Sequence, residues 1–185
     1  YDFLKFKIKK KFIFLNNLQP GVNKKFKKDI LNIIISKSGN TLETIMNLNT
    51  QKINNNCIFI TEKKNNYLRK IAEKMKCEIV EHKNYIGGRY SVLSEVGMLP
   101  AELMGLNEKK FKQFNYLINN KKFINNLINN AEGILHYVKK GKTNSIILNY
   151  DEDSQSLFYW YQQLVAESLG KKSKGILPIV SQMPK

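Results

Sequence analysis

A nearly continuous β-branched run, Ile30 to Ile35, ends in Ser36-Lys37-Ser38-Gly39-Asn40-Thr41, and a helix-like stretch, Thr41 to Thr50, leaves it at once. Strands that are apolar on both faces belong to the centre of parallel sheets, where helices cover each side. The same order returns downstream. Cys57 to Thr61 reads as an apolar strand, and Asn66 to Lys76 as a helix with Leu68, Ile71, Ala72 and Met75 on one face. Cys77 to Val80 is short, with apolar residues at alternate positions, and reads as an outer strand. Strands alternating with helices predict an α/β fold, a parallel sheet with flanking helices. Ligands in such sheets sit beyond the carboxyl ends of the strands, and Ser36 to Thr41 occupy such an end.

Before this core, Lys11 to Leu15 is apolar enough to predict another buried strand, followed by a turn at Asn16 to Gly21 and a short helix from Val22 to Asp29. His82 to Arg89 interrupts the alternation, so residues 1–86 read as one sheet-and-helix unit and 87–185 as the start of a second. In that second stretch, Ser91 to Gly105 predicts a helix interrupted at Gly97 and Pro100. Glu108 to Lys140 predicts one or two helices with an Asn- and Lys-rich face, and Asn144 to Asn149 a strand. Asp151-Glu152-Asp153 places acid where a helix dipole favours it. That helix runs to about Ser168, with Gly170 as its stop, and Gly175 to Val180 closes the chain as a strand.

Composition narrows the possible partners. The formal net charge of the 185 residues is +16, a balance that attracts nucleic acid and small phosphorylated molecules alike. The lysines are scattered among asparagines and form no basic block or stripe along one helix, so nucleic acid is set aside as a partner. No apolar run approaches the ~20 residues of a spanning helix, and no membrane is implied. The first residue is Tyr1, and the basic, apolar opening lacks the pattern of a signal peptide, which reads as an interior cut. Cys57 and Cys77 stand far apart without metal-ligand spacing, so no metal and no disulfide framework is expected. Cys57, opening an apolar strand, reads as a buried thiol, and a reducing, cytoplasmic setting is the default.

Three stretches can carry chemistry. In the first, Ser36, Ser38 and Thr41 offer hydroxyls, Lys37 a charge, and Gly39 a backbone free to turn. Ahead of a helix N-terminus these are the parts of a phosphate cradle. They are also ordinary turn chemistry, and Asn40 with Glu43 fits a capping box. In the second, Gly87 and Gly88 let the backbone approach a ligand beside the planar cation of Arg89. A domain-joining turn with a solvated Arg is its other reading. In the third, Gln163 and Glu167 share a helix face beside Trp160. Aromatic cover would raise the Glu167 pKa toward that of a general base. A solvent-facing Glu is the alternative. His82 and His136 have no partner at useful spacing and read as structural or exposed.

Together the stretches Ile33 to Thr44, Gly87 to Ser94, and Gln163 through Gly170-Lys171 resemble the bacterial-type glucose-6-phosphate isomerases in content, order and rough separation. The resemblance covers essentially the whole chain. It implies two sugar-isomerase domains of Rossmann-like three-layer form, the first lacking its N-terminal part and the second truncated. It also implies a homodimer at full length, no metal and no organic cofactor. The implied reaction interconverts glucose 6-phosphate and fructose 6-phosphate through an enediol, in glycolysis and gluconeogenesis. By matching position, Ser36, Lys37, Ser38, Gly39, Asn40 and Thr41 would surround the phosphate. Arg89, beside Gly88, would stabilise the enediolate; Glu167 would move the proton; Gln163 would touch the sugar; and Glu43 would orient its neighbours. The family's upstream Gly- and Ser-containing loop, its ring-opening His and its C-terminal Lys have no counterpart here, so the 185-residue chain alone is expected to be inactive. A sugar-phosphate-binding regulatory protein of the same fold, without catalysis, is the alternative.

Overall fold

The computed structural model describes residues 1–18, 30–51, 53–111, 113–172 and 174–182. The turn expected at Pro20-Gly21 and the helix expected from Val22 to Asp29 lie outside these residues. The chain divides into two compact units, one of Lys9–Leu106 and one of Asn107–Lys185 together with Tyr1–Ile8.

In the first unit, β1 (Asn32–Ile35), α1 (Leu42–Thr50), β2 (Cys57–Glu62), α2 (Tyr67–Met75) and β3 (Glu78–His82) follow in that order. The strands form a parallel sheet in the order β1-β2-β3. Side chains alternate between faces along a strand, so the register that sets Ile34 against Phe59 and Phe59 against Ile79 lines one face with large apolar groups. Leu48 from α1 and Leu68 and Ala72 from α2 close over Ile34, Cys57 and Phe59. Each fully buried aliphatic or aromatic side chain there contributes roughly 1.5–3 kcal/mol. β3 is the outer strand that its length and alternation predict.

Local chemistry explains α2 well. Asn66 caps its first turn by accepting from the Arg69 N–H at 2.9 Å, and Lys76 ends it in a left-handed conformation. A residue in that conformation lets the next N–H groups meet the last helical carbonyls. The run Ser91 to Gly105 does break, but at Ser94 rather than at Gly97 or Pro100. A 3-10 turn, Gly88–Leu93, leads to Ser94, which caps α3 (Glu95–Leu103), and Pro100 lies inside α3. Gly97 lets α3 close onto that turn, since a Cβ there would lie 2.0 Å from the Val92 carbonyl oxygen.

The strand expected at Lys11 to Leu15 is absent. Those residues have no regular structure, and Ile13, Phe14 and Leu15 are exposed. The stretch is apolar but alternates poorly.

In the second unit, α4 (Glu108–Phe111), α5 (Asn115–Ile118) and α6 (Lys121–Lys139) replace the one or two helices expected. Leu127, Ile128 and Leu135 on α6 are exposed rather than covered. β4 (Asn144–Asn149), α7 (Gln155–Leu169) and β5 (Leu177–Gln182) follow, with β4 and β5 parallel. β4 has the bounds expected, and β5 begins two residues later than the Gly175 start expected from sequence. Gln162 on α7 donates to the Pro178 carbonyl at 2.8 Å and fixes the helix on β5. The acids expected at the start of α7 instead belong to a 3-10 turn just ahead of it, Glu152–Ser154, whose N-cap Asp151 accepts from the Asp153 N–H at 3.2 Å, while Lys5 pairs with Asp153 at 2.7 Å.

Candidate functional site

Ser36 to Thr41 close the carboxyl end of β1. Ser36 is buried, and its hydroxyl meets that of Thr41 at 2.7 Å and accepts from the Gly39 N–H at 3.2 Å. Gly39 turns with φ +64°, a region that L residues enter only at a cost. Its carbonyl accepts from Leu68 N–H at 3.1 Å, which ties the loop to α2. Ser38, Asn40 and Thr41 are exposed, and Glu43 is exposed on the first turn of α1. Thr41 is the N-cap of α1, with no side chain capping it. The capping box of Asn40 and Glu43 does not form, because the Asn40 side chain instead accepts from Tyr67 N–H at 3.1 Å. A helix start with no capping side chain keeps its N–H groups and dipole for an anion.

Asn66 holds the loop in place. Its amide donates to the Thr61 hydroxyl at 3.1 Å and to the Lys64 carbonyl at 3.0 Å while its oxygen caps α2. Asn66→Ala removes a cap and the buried hydrogen bonds to Thr61 and Lys64, so it is expected to cost about 2–3 kcal/mol. Urea unfolding of the chain checks this, and a loss below about 0.5 kcal/mol, the size of an ordinary surface change, contradicts it.

Lys37 joins this loop to the second stretch. Its ammonium donates to the Asn84 and Ile86 carbonyls, each at 2.9 Å, and pairs with the buried Glu62 carboxylate at 3.4 Å. An ammonium has three N–H donors, and these three partners account for them. Beyond Ile86 the chain enters Gly87, Gly88 and Arg89. The Tyr90 N–H returns to the Gly87 carbonyl at 2.9 Å, and the Ser91 hydroxyl donates to the Gly88 carbonyl at 2.6 Å. A Cβ at Gly88 would meet nothing within 4 Å, so open space borders the backbone there. The Arg89 guanidinium sits over the Tyr90 ring, 5.0 Å from its centroid. A cation so placed is attracted by the negative face of the ring.

His82, given no chemical role from sequence, anchors the same loop. It is fully buried at the end of β3, with one ring nitrogen against the Glu95 carboxylate and the other 3.2 Å from the Ile86 carbonyl. The two contacts fix the ring between α3 and the loop that follows β3. Lys64 also reaches Glu62, at 3.5 Å. A cleft of ≈ 170 Å³ at the ends of β2 and β3 is lined by residues that include Glu62, Lys64, Glu81 and His82. Asn66, Glu62 and His82 were the supports missed in sequence. Their shared signal was position, at or just beyond the carboxyl ends of β2 and β3.

In the second unit, Gln163 and Glu167 meet on one face of α7, the amide donating to the carboxylate at 2.9 Å. Both are exposed. Glu167 thus takes the solvent-facing position that was the alternative to aromatic cover by Trp160. Among the described residues there is no cluster of three or more metal-ligating side chains, and no helix long and apolar enough to cross a membrane.

No protein-family model matches the chain. Curated proteins do. The glucose-6-phosphate isomerase of Methanocaldococcus jannaschii is 35% identical over 164 residues, 80% of this chain and 40% of that protein. Those of Mycoplasmopsis synoviae and Mycoplasma capricolum are 34% and 31% identical over 83% and 78% of this chain. Along most of its length this chain is a relative of the glucose-6-phosphate isomerases. It spans about two fifths of the length of the relatives it matches. A solved Thermus thermophilus structure, described as a hypothetical protein, has a TM-score of 0.73 over 94% of this chain and 47% of its own, at 22% identity. At that identity the likeness concerns the fold alone, and it agrees with the α/β, parallel-sheet reading. Lys37 ties the loop at Ser36 to Thr41 to the Asn84 and Ile86 carbonyls, just ahead of Gly87.

Proposed function

We propose that this chain supplies the phosphate cradle and two reacting groups of a glucose-6-phosphate isomerase. It would comprise parts of two sugar-isomerase domains, 1–86 and 87–185, acting in the cytoplasm on a sugar phosphate. The observation that carries the reading is the Lys37 link, which joins a hydroxyl-rich loop at a helix start with no capping side chain to the turn bearing Gly88 and Arg89. The phosphate would sit against Ser38, Gly39, Asn40, Thr41 and the first turn of α1, with Ser36 bracing Thr41 and Glu43 at the rim. Lys37 adds charge to the cradle while holding it against the neighbouring loop.

Aldose–ketose exchange, an intramolecular oxidoreduction, needs one base that takes a proton from a carbon and returns it to the next. Glu167 fits that role and Gln163 orients it. The enediolate oxygen carries the negative charge, and Arg89 would stabilise it more than it stabilises the ground state. Phosphate binding, remote from the reacting carbons, supplies positioning. No metal or organic cofactor is called for in this chemistry. Glu167 would work at a site completed by the rest of the protein and by a second copy in a homodimer.

The test is a coupled assay of glucose 6-phosphate turnover by the protein at its full natural length. Arg89→Met is expected to lower kcat by about 10²–10³, the size of losing one oxyanion donor, with KM changed much less. Unaltered kcat in that variant refutes its role. Turnover absent from the full-length wild type, with sugar-phosphate binding intact, favours the non-catalytic binding protein.

A further inference from the structure

We propose that Cys57 and Cys77 form a redox modification site, a thiol pair that a hydroperoxide closes into an intrachain disulfide and a small thiol reopens. Three observations place the pair. First, β2 and β3 are parallel with Ile58 opposite Glu78. One step back along both strands sets Cys57 opposite Cys77. Adjacent strands lie about 4.7–4.9 Å apart, inside the 4.4–6.8 Å between Cα atoms that a disulfide spans. Second, the two Sγ atoms are in contact at 2.6 Å, and both cysteines are free thiols. Third, the two differ in access. Cys57 is 4% exposed within the apolar core, while Cys77 is half-buried at the turn between α2 and β3, its Sγ reaching the Asn55 carbonyl at 3.5 Å.

Those differences set the order of events. The Cys77 thiolate attacks one oxygen of the hydroperoxide. The O–O bond breaks, hydroxide or alkoxide leaves with the electron pair, and Cys77 becomes a sulfenic acid. The Cys57 sulfur then attacks the Cys77 sulfur. The S–S bond forms, the S–O bond breaks, and the departing hydroxide takes the Cys57 proton as water. Two thiols and one hydroperoxide thus give one disulfide and two molecules of water, or one of water and one of alcohol. Burial, and then the hydrogen bond to Cys77, push the Cys57 thiol up to about 12, so Cys57 stays protonated and inert until a sulfenic acid stands beside it. Two exchanges with a small thiol reverse the change. The bond would lie at the amino ends of β2 and β3, at the opposite end of those strands from the loop at Ser36 to Thr41.

The full chain treated with one equivalent of hydrogen peroxide is expected to lose two hydrogens by intact mass. A non-reducing peptide map is expected to join the Cys57 and Cys77 peptides, and dithiothreitol to restore the mass. Cys57→Ser is expected to leave Cys77 as a sulfenic acid trappable by dimedone, and Cys77→Ser to leave Cys57 unmodified. Brief iodoacetamide treatment of the native wild type, which needs no variant to fold, is expected to label Cys77 and spare Cys57. Cys77 advancing to sulfinic acid while Cys57 remains an alkylatable thiol, a disulfide only between chains, or equal native labelling of both cysteines would each overturn the proposal.

Discussion

In the full-length protein, Glu167→Gln is expected to reduce kcat for glucose 6-phosphate by about 10²–10⁴, the contribution of a positioned general base. The substitution keeps shape and size and removes the basic oxygen pair. Glu167 is exposed and meets Gln163 at 2.9 Å on the same helix, a contact that a glutamine can keep by turning its amide. Stability is then expected to stay within about 0.5 kcal/mol of wild type, as for ordinary surface changes. Sugar-phosphate affinity, which depends on the first unit, is expected to hold. Steady-state kinetics together with calorimetric binding of fructose 6-phosphate separates these effects. Retained kcat removes Glu167 from the mechanism; lost binding with lost kcat makes it a ligand group instead.

The second large effect is expected at Gly39. A Cβ built there lies 1.9 Å from Asn66 Oδ1 and 2.1 Å from its Cγ, on a backbone with φ +64°. Asn66 cannot simply swing away, because it caps α2 and donates to Thr61 and Lys64. Gly39→Ala therefore adds left-handed strain of about 1–2 kcal/mol to the loss of a cap, about 1 kcal/mol, and a disrupted buried hydrogen bond, about 1–3 kcal/mol. A total of about 3–6 kcal/mol is expected in urea unfolding of the chain. Phosphate binding should fall with it, since the same loop positions Ser38 and Thr41. A variant within about 1 kcal/mol of wild type would show that the loop relaxes, and would separate Gly39 from the cradle.

Elements governed by local chemistry were legible. β4 keeps its expected ends at Asn144 and Asn149, and α2, Tyr67–Met75, falls within one residue of the expected Asn66 and Lys76. Each is specified within about a dozen residues: alternating or continuous apolar residues for a strand, an acceptor side chain ahead of a helix. Lys11 to Leu15 misled because apolar content alone does not make a strand; a neighbour must satisfy the backbone. The stretch from 108 to 140 divides where local chemistry favours a new start, as at Asn120, which caps α6 by accepting from the Phe123 N–H at 3.1 Å, while Leu127 and Leu135 on α6 remain exposed. With no packing to reward continuity, local turns decide where each helix stops.

The site divides along the same line. Candidates for meeting a phosphate, an enediolate or a carbon-bound proton come from residue type and order, because hydroxyls, a glycine, a guanidinium and a carboxylate carry their chemistry wherever they sit. Their partners were not readable. Asn40 reached for Tyr67 rather than its own helix, Lys37 for carbonyls 47 and 49 residues away, and His82 for Glu95. The pairing of Cys57 with Cys77 likewise depends on the register of two strands. Sequence alone determined the strand–helix alternation and the inventory of reactive groups, since both follow from local propensity and side-chain chemistry. Only the tertiary structure decided which groups are locked, which are open and which are matched, because a hydrogen bond or sulfur contact depends on distance in space, and folding sets that distance across many residues of chain.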